Sequence, residues 1–393
     1  MLATHASSKT TWTAGQRPVV LHTRVVTDTG GGPDKTILNS PRFLDESGYR
    51  GLCAYMHPPH DPGFESLRQR AIDARTQLLT VPDRGPLDWR VVRRLLQLCR
   101  REKVAIWHGH DYKSNALGLL LRRLHPMRLV TTVHGWGVHS GRTPLYYRID
   151  KYCLRRYDRV VCVSPDLFEE CIASGVPAER CVLIENAIDL EQYRRCHSPG
   201  QAKQQLGIDA SRFVIGAVGR LSAEKGFDRL IQSFASIVSQ GLDAELLIVG
   251  EGDERPHLEQ LIASLPCADR IRLLGYRGDV PELLQAMDLF ALSSLREGLP
   301  NVLLEAMALE VPVVATRIAG IPRLIAHRQN GLLVDADDVA GLTRAMHELL
   351  EDAPFRQKLA VSARTTIEQR YSFAVRMQKI RQVYDQLLQE KQR

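Results

Sequence analysis

Residues 287–315 read MDLFALSSLREGLPNVLLEAMALEVPVVA, and this stretch decides the fold. Its first six residues form a short apolar run typical of a buried strand, and residues 311–315 form a second one. A polar loop and a segment with helical spacing lie between them, and Pro300 suits the first helical turn. A strand, a loop, a helix and a strand make one crossover unit of a parallel sheet, and ligands bind such units at the loop.

Two glutamates flank the start of the predicted helix. Glu297 lies in the loop, and Glu305 lies about one and a half turns inside the helix. Because helical side chains lean toward the N-terminus, both carboxylates can border one cavity there. Acids in a first turn usually complement the helix dipole, but Glu305 lies too deep to gain much from it. Ionised carboxylates only accept hydrogen bonds and the first helical N–H groups donate them, so the sequence predicts a site for a sugar or a ribose.

The spacing of the two glutamates, with Gly298, Leu299, Pro300 and Asn301 after the first, resembles the signature of retaining nucleotide-sugar glycosyltransferases of family four. Ala306, Met307 and the segment Ala-Gly-Ile-Pro at 319–322 extend the resemblance, which covers nearly everything after residue 18. These enzymes are also called glycosyl transferases group 1 and have the GT-B architecture. The resemblance implies an α/β fold of two facing Rossmann-like domains with an interdomain cleft and a C-terminal crossover helix.

A chain of 393 residues is long enough for two domains that each bury a core. The expected parts are a disordered leader (1–17), an N-terminal acceptor-side domain (18–195), a linker (196–211), a C-terminal nucleotide-sugar-binding domain (212–372) and a helix that returns to the N-terminal domain (373–393).

Composition indicates a soluble globular protein, since 44% of residues are hydrophobic and 25% are charged. No run approaches the roughly 18 apolar residues that span a bilayer, and the first 17 residues lack the apolar segment of a signal peptide. The eight cysteines include no Cys-x-x-Cys pair, which predicts buried free thiols in a reducing compartment. We therefore expect a cytoplasmic protein.

Positive charge is concentrated in the N-terminal half. Residues 1–200 carry 29 Lys and Arg against 20 Asp and Glu, a net charge of +9, and the remainder carries 23 against 25, a net of −2. Solvated helix faces explain many of these charges equally well. The sharper hypothesis is an anionic acceptor, or peripheral binding at the negatively charged inner face of the membrane.

A glycine-rich loop, residues 27–35, follows the first predicted strand and leads into a helix. Most such loops are simple turns, but at the carboxyl end of a strand glycine lets backbone approach a ligand, and a helix N-terminus favours phosphate. The loop also resembles the Gly-Gly loop of the family's N-terminal domain. Gly31 and Gly32 are therefore predicted to bind the donor diphosphate.

Later strands of the N-terminal half also end in polar or ring-bearing groups. His110 and Asp111 follow one strand, and His134 and Trp136 follow the next. By resemblance, His134 acts catalytically at the reacting end of the donor, and we place His110, Asp111 and Trp136 on the acceptor side.

No metal site is predicted. The histidines near residue 110 have no third or fourth ligand at a familiar metal-binding spacing, so sugar and phosphate contacts are the better interpretation. Asp335 and Asp337 have the Asp-x-Asp spacing that binds a metal-diphosphate in other transferases. Their place between a strand and a helix favours helix capping instead.

The second domain begins at residue 213, and its first loop holds Arg220 and Lys225. Two cations after a first strand suit a diphosphate, and they match the family's Gly-Arg…Glu-Lys-Gly motif. The resemblance assigns both to the leaving diphosphate and to catalysis. It places Glu297, Gly298, Leu299 and Asn301 at the donor sugar, with Glu297 also catalytic. The predicted nucleoside site comprises Glu305 at the ribose with Gly250, Tyr276 and Arg277.

The predicted function is transfer of a sugar from a nucleotide-diphosphate donor, UDP- or GDP-linked, to a saccharide or lipid-linked acceptor hydroxyl with retention, in cell-surface polysaccharide or glycolipid biosynthesis. No cofactor and no nucleic-acid partner are expected. A nucleotide-sugar epimerase of the same architecture is the alternative. A dinucleotide-dependent oxidoreductase lacks its Gly-x-Gly-x-x-Gly loop here, and no nucleic-acid-binding module is recognisable.

Overall fold

The computed structural model describes residues 17–135 and 143–390, with only the backbone at 143 and 144. The predicted leader, apart from Arg17, and Trp136 lie outside the described residues. The chain divides into two compact units, Met1–Glu185 with Met377–Arg393 and Asn186–Arg376.

The first unit is built on a seven-stranded sheet in the order β3-β2-β1-β4-β5-β6-β7, and its neighbouring strands are parallel. Its strands are short apolar runs, as a sheet covered on both faces requires. They are β1 (Val19–Val25), β2 (Arg50–His57), β3 (Leu78–Pro82), β4 (Val104–Gly109), β5 (Arg128–Val133), β6 (Arg159–Cys162) and β7 (Cys181–Leu183).

Helices alternate with these strands. They are α1 (Gly32–Glu46), α2 (Phe64–Asp73), α3 (Trp89–Arg101), α4 (Tyr112–Arg122), α5 (Thr143–Leu154) and α6 (Pro165–Ala173). Helix α3 illustrates why these segments are helical. Its apolar residues recur on one face, where Val91, Leu95 and Leu98 are buried. Asp88 caps it by accepting a hydrogen bond from the N–H of Arg90.

The second unit is built on a six-stranded parallel sheet in the order β10-β9-β8-β11-β12-β13. Its strands are β8 (Phe213–Val218), β9 (Ala244–Val249), β10 (Ile271–Leu273), β11 (Leu289–Leu292), β12 (Val313–Thr316) and β13 (Leu332–Val334). Its helices are α7 (Pro199–Gln205), α8 (Phe227–Ser239), α9 (Arg255–Ala263), α10 (Val280–Ala286), α11 (Asn301–Ala308), α12 (Ile321–Leu324), α13 (Val339–Glu351) and α14 (Ala353–Thr366).

Both sheets reverse their winding direction once. The chain adds β2 and β3 on one side of β1 and then returns to place β4 on its other side, and β8 lies in the same way between β9 and β11. In doubly wound sheets, ligands bind beyond the carboxyl ends of the strands at this switch point. Ligand sites are therefore expected at the carboxyl ends of β1 and β4 in one unit and of β8 and β11 in the other.

The last helix, α15 (Phe373–Gln389), joins the first unit from Met377 onward. The Tyr384 hydroxyl is 2.5 Å from Nδ1 of His108, and the Tyr49 hydroxyl donates to Asp385 at 2.5 Å. The return of this segment to the N-terminal domain, which the resemblance implied, is confirmed.

The predicted linker, residues 196–211, belongs to the second unit and contains helix α7. Ser198 caps this helix, and Lys203 is buried where its ammonium bonds Asp288 at 2.5 Å. The polar composition that suggested a linker reflects a capped surface helix, and the chain leaves the first unit earlier, after Glu185.

The cysteines are free thiols, as predicted, and seven of the eight are buried, Cys196 being exposed. Within residues 17–135 and 143–390, no helix combines the length and the apolar character needed to cross a bilayer.

Candidate functional site

Two loops meet beyond the carboxyl ends of β8 and β11. The Leu295 N–H donates to the carbonyl of Glu224 at 2.8 Å, and the Ser293 hydroxyl donates to the carbonyl of Lys225 at 3.0 Å. Gly226 has φ 61°, and a Cβ at this position would lie 2.4 Å from the carbonyl oxygen of Ser293. Glycine is required here because the two backbones are so close.

This contact brings Lys225 and Glu297 together in an ion pair between Nζ and Oε1. Both side chains are largely buried, and the Ser294 hydroxyl donates to the same carboxylate oxygen at 3.0 Å. The sequence predicted separate partners for the two residues, the diphosphate for Lys225 and the donor sugar for Glu297. The structure adds that each also holds the other in place.

Arg220 lies in the same loop as Lys225, but its side chain is 70% exposed. One of its guanidinium nitrogens lies 3.3 Å from Glu224, an exposed pair of low energetic weight. Arg220 can therefore leave Glu224 for an anionic ligand without loss of a buried contact.

Gly250 ends β9 at the same sheet edge and has φ 140°. A Cβ there would lie 1.9 Å from the carbonyl oxygen of Gly219, and the Gly250 N–H donates to Gly275 at 2.8 Å. Three glycine-bearing loops thus pack backbone against backbone. The predicted nucleoside residue Gly250 shapes the surface of the site through this packing.

Tyr276 and Arg277 extend from the loop after β10. The Tyr276 ring is 80% exposed, which suits a surface on which a planar base can stack. The Arg277 guanidinium donates to Asp279 at 2.7 Å, and this contact raises the pKa of Arg277 through the side-chain hydrogen bond. Tyr276 is therefore the better candidate of the two for contact with a nucleobase.

Helix α11 begins at Asn301, and Pro300, which was expected in the first turn, is its N-cap. Glu305 is buried, with 2% of its surface exposed, on the fifth residue of the helix. A hydrogen bond to Glu305 and, above all, burial raise the pKa of Tyr193 well above its ordinary value. Glu305 is thus already hydrogen-bonded to Tyr193, which the sequence did not single out.

The segment before α11 carries the other predicted donor-sugar residues. Gly298 is exposed and Leu299 half-buried, and a Cβ on Gly320 would lie 3.3 Å from the carbonyl oxygen of Gly298. The loop that begins at residue 317 therefore packs on the loop that holds Glu297. This contact explains the role of the Ala-Gly-Ile-Pro segment in the motif.

Four histidines form a row that runs from inside the first sheet to its carboxyl edge. His22 lies within β1 and His108 within β4, and His110 and His134 directly follow β4 and β5. Nδ1 of His22 lies 3.0 Å from Nε2 of His110, and Nδ1 of His110 lies 3.2 Å from Nε2 of His134. His108 stacks on His110 with ring centroids 4.6 Å apart and an interplanar angle of 12°. The structure thus connects the predicted catalytic His134 to the predicted acceptor-side His110.

Burial lowers the pKa of His110 well below its ordinary value, and the neighbouring histidines and Arg24 act in the same direction. The His110 imidazole is therefore neutral at pH 7, so one ring nitrogen donates and the other accepts. Of its contacts with His22 and His134, a neutral His110 therefore donates one hydrogen bond and accepts the other.

Ligand atoms of His22, His108 and His110 lie within 4.8 Å of one another, which raises the question of a metal. Stacked rings direct their in-plane lone pairs side by side, whereas a tetrahedral site needs them to converge. Both nitrogens of His108 are also engaged, with Tyr384 at 2.5 Å and with the Thr132 hydroxyl at 2.8 Å. The row is therefore better described as a hydrogen-bonded network.

Asp111, predicted on the acceptor side, is the N-cap of α4. Its carboxylate accepts hydrogen bonds from the N–H groups of Val25 at 2.7 Å, Lys113 at 3.0 Å and Ser114 at 2.9 Å. Burial raises its pKa. These contacts show that Asp111 ties the loop after β1 to α4, and any contact with an acceptor comes in addition to this role.

The glycine loop after β1 folds over a carboxylate. Asp34 is fully buried, its Oδ2 accepts the Gly31 N–H at 2.7 Å, and its Oδ1 lies 3.3 Å from Nε of Arg24. The start of α1 is thus partly neutralised by the protein's own acid. Diphosphate binding by Gly31 and Gly32 stays a prediction, and the Gly31 amide is engaged in this structure.

The acids between β13 and α13 differ from the expected capping pattern. The N-cap of α13 is Asp338, which accepts the Gly341 N–H at 2.7 Å. Asp337 pairs with Arg229, and Asp335 lies 3.4 Å from Arg317. The attribution of helix capping to Asp335 and Asp337 was wrong by one residue or more.

Sequence reasoning missed several residues that form hydrogen bonds to the site residues and keep them in position. Tyr193 and Ser294 bond the two glutamates, Thr132 bonds His108, and His22 ends the row. His22 lies in the middle of β1, in register with His108 of β4, so only the pairing of the two strands reveals it.

Comparison with known proteins identifies two family matches. Residues 212–352 match the family described as Glycosyl transferases group 1, and residues 30–192 match Glycosyltransferase Family 4. The chain is 30% identical over 290 residues to N-acetyl-alpha-D-glucosaminyl L-malate synthase of Bacillus anthracis, which covers 73% of this chain and 76% of that protein. It is 28% identical over 300 residues to UDP-Gal:alpha-D-GlcNAc-diphosphoundecaprenol alpha-1,3-galactosyltransferase of Escherichia coli, covering 74% and 77%.

Solved structures give the same fold. Anabaena HepE in complex with UDP superposes with a TM-score of 0.77 at 22% identity, covering 94% of this chain and 100% of that chain. HepE in complex with UDP-glucose gives the same score at 23% identity, with 94% and 99% covered. The predicted GT-B fold class is confirmed.

Proposed function

We propose that this chain, which belongs to the family-four glycosyltransferases (glycosyl transferases group 1), transfers a sugar from a nucleoside-diphosphate donor to an acceptor hydroxyl with retention of anomeric configuration. The bond between the anomeric carbon and the diphosphate breaks, a bond to the acceptor oxygen forms, and the acceptor proton leaves with the diphosphate. Relatives named for galactosyl transfer and for capsular polysaccharide biosynthesis support a role in cell-surface polysaccharide or glycolipid synthesis.

The juxtaposition of Lys225 and Glu297 at the switch point of the second sheet carries this proposal. Lys225 and the exposed Arg220 supply positive charge where the departing diphosphate becomes more negative, which is electrostatic catalysis. The carboxylate of Glu297 accepts hydrogen bonds from the donor sugar's hydroxyls, together with the loop of Gly298, Leu299 and Asn301.

The remaining assignments follow the same chemistry. Glu305 holds the ribose, Gly250 and Tyr276 border the base, and His134 acts at the reacting end of the donor. UDP is our first choice of nucleotide because HepE, a structural neighbour, binds UDP and UDP-glucose, and GDP is the second. The acceptor is a saccharide or a lipid-linked saccharide, approached through the basic N-terminal half at an anionic membrane surface on the cytoplasmic side.

A competing function is epimerisation of the nucleotide sugar. Incubation with UDP-sugars and a panel of saccharide acceptors, followed by NMR of the products, separates the two functions. We expect a new glycosidic bond with the donor's anomeric configuration. An isomerised nucleotide sugar with no acceptor product would establish the epimerase, and an inverted linkage would refute retention.

We further propose that the reaction needs no divalent metal, because Arg220 and Lys225 supply the charge that a metal supplies elsewhere. Turnover is expected to persist in excess EDTA. Activity that EDTA abolishes and magnesium or manganese restores would overturn this proposal.

A further inference from the structure

A cavity of about 680 Å³ lies in the first unit beside the histidine row. Its walls come from the loops after β1, β2 and β3 and from helices α4 and α5, so it lies at the carboxyl edge of the sheet. The volume is typical of a small-molecule site. Nothing in the donor-binding chemistry described above uses it.

The lining is mainly apolar. Its side chains include Val25, Pro58, Pro86, Ala116 and Ile149, with Tyr112 and Tyr146 stacked face to face at 4.6 Å and 8°.

Two of the three charged side chains in the wall, Lys113 and Asp83, neutralise each other, and the third is Arg84. The Lys113 ammonium bonds Asp83 at 2.5 Å and the carbonyl of Gly85 at 2.7 Å. Because the Lys113 and Asp83 side chains are nearly buried and bond each other, they leave few hydrogen-bonding groups for a sugar. The cavity therefore favours a hydrocarbon over a hydroxyl-rich ligand.

The edge of the cavity exposes large apolar side chains. Leu87 is 95% exposed, and nearby Trp89 and Leu145 are 63% and 56% exposed. Leu87 and Tyr146 line both this cavity and a second one of about 750 Å³ that also includes Trp89 and Leu145, so the apolar surface is continuous. An exposed apolar surface of this kind is typical of a binding site.

The charge around this surface is positive. Arg84 and Arg90 flank Leu87 and Trp89 and are exposed, and together they outnumber the one acid in the lining of the second cavity, Asp88. Helix α3, which follows, carries five arginines and no acidic residue. A ligand that complements this surface therefore has an anionic group attached to an apolar chain.

A smaller cavity of about 110 Å³ adjoins the large one, since Tyr112 lines both. His110 and His134 line this smaller cavity. A ligand whose chain lies along Tyr112 can thus present its polar end toward His134.

We propose that the large cavity binds the hydrocarbon chain of a lipid-linked anionic acceptor, with the arginines around Leu87 and Trp89 next to its phosphate. This inference rests on the proposed function and specifies its acceptor class. It makes Leu87, Ala116 and Ile149 chain-binding residues and selects acceptors by their lipid rather than by their sugar alone.

Calorimetry with farnesyl diphosphate tests the proposal, with the protein saturated in UDP so that the donor site is occupied. We expect binding at least tenfold tighter than that of inorganic diphosphate, because the chain buries apolar surface. Ala116→Phe, which fills the cavity, and Leu87→Ser should each weaken it about tenfold. Ile72→Ser is the matched control, since Ile72 is 67% exposed in the same unit but outside the cavity, and it should change nothing.

Equal affinity for inorganic and farnesyl diphosphate would overturn the proposal, as would full binding by Ala116→Phe with UDP affinity intact. Flotation with vesicles of phosphatidylcholine and phosphatidylglycerol distinguishes a bilayer from a bound chain. Vesicle binding without farnesyl diphosphate binding would also overturn it. Wild-type protein that binds neither UDP nor GDP would instead refute the proposed function, and the farnesyl diphosphate titration without nucleotide still reports on the cavity.

Discussion

The two sheets share one winding pattern but carry different chemistry at their switch points. Beyond β8 and β11, the second unit places charged side chains, namely the exposed Arg220 and the largely buried pair of Lys225 with Glu297. In the first unit, the buried rings of His22 and His108 lie within β1 and β4, and the buried ring of His110 directly follows β4. The topology therefore fixes where a ligand binds. The side chains at that place decide whether the ligand contacts charged groups or a neutral hydrogen-bonded network.

A second difference lies in what surrounds these groups. In the second unit, glycine loops pack backbone on backbone around the site, as Gly250 does on Gly219. In the first unit, carboxylates fill the helix starts, Asp34 at α1 and Asp111 at α4. The second edge is thus open to an anionic ligand, whereas the first supplies its own anions.

The largest expected effect comes from Gly250→Ala. Strain at φ 140° and the 1.9 Å approach to the Gly219 oxygen should together destabilise the second unit by about 3 kcal/mol or more, roughly 6–12 °C in melting temperature. Gly278→Ala is the control, since a Cβ there meets nothing within 4 Å. Calorimetric melting of both variants checks this, and equal melting temperatures would show that the close packing is not required.

Lys225→Ala and Glu297→Gln test the charged edge. Loss of the ammonium should weaken UDP binding by about tenfold or more, because a hydrogen bond to a charged group contributes about 1.5–3 kcal/mol. Glu297→Gln should keep UDP affinity within about threefold and lower the turnover rate, because the donor sugar is misplaced. Calorimetry and rate measurements on both variants decide the matter.

The control for this pair is Lys358→Ala, which removes an exposed charge elsewhere in the second unit. If Glu297→Gln loses UDP as strongly as Lys225→Ala does, the ion pair acts as one binding element. The separate roles assigned to the two residues would then be wrong.

Tyr276→Ala should reduce UDP affinity about tenfold by removal of a stacking surface, for which about 1–3 kcal/mol per base is usual. Tyr276→Phe keeps the ring and should bind UDP as the wild type does. Because Tyr276 is 80% exposed, the melting temperature of either variant should be unchanged. Ribose 5-phosphate, which has no base, should bind the wild type and Tyr276→Ala equally.

The smallest expected effect is on how the free energy of unfolding depends on pH, and it comes from His110 in the histidine row. The folded protein resists protonation of His110, whose pKa is lowered, while the unfolded chain protonates it below about pH 6.5. The unfolded state therefore binds more protons there, and the free energy of unfolding falls as pH drops below 6.5. The free energy of unfolding should therefore depend less steeply on pH in His110→Asn than in the wild type.

Urea unfolding at pH 7.5 and 5.5 measures this slope. His60→Asn, which changes an exposed histidine of the same unit, should leave it unchanged. A His110→Asn slope equal to that of the wild type would show that the row is protonated in the folded protein, and the contrast with the charged edge would disappear.

The sequence by itself determined the architecture and most of the second edge. The apolar runs at 287–292 and 311–315 and the helical segment between them are observed as β11 (Leu289–Leu292), β12 (Val313–Thr316) and α11 (Asn301–Ala308). The loop residues Arg220, Lys225 and Glu297 could be found because each follows a strand directly. These are local signals, since a strand end and the loop after it are neighbours in the chain.

The tertiary structure decided which of these residues touch. His22 and His110 lie 88 residues apart, and Lys225 and Glu297 lie 72 apart, so only the strand order brings them together. The hydrogen bond from Val25 to Asp111 and the apolar cavity beside Tyr112 likewise depend on segments that follow different strands. Local periodicity records which face of an element is buried, but not which distant residue lies opposite it, because that depends on the register and order of the whole sheet.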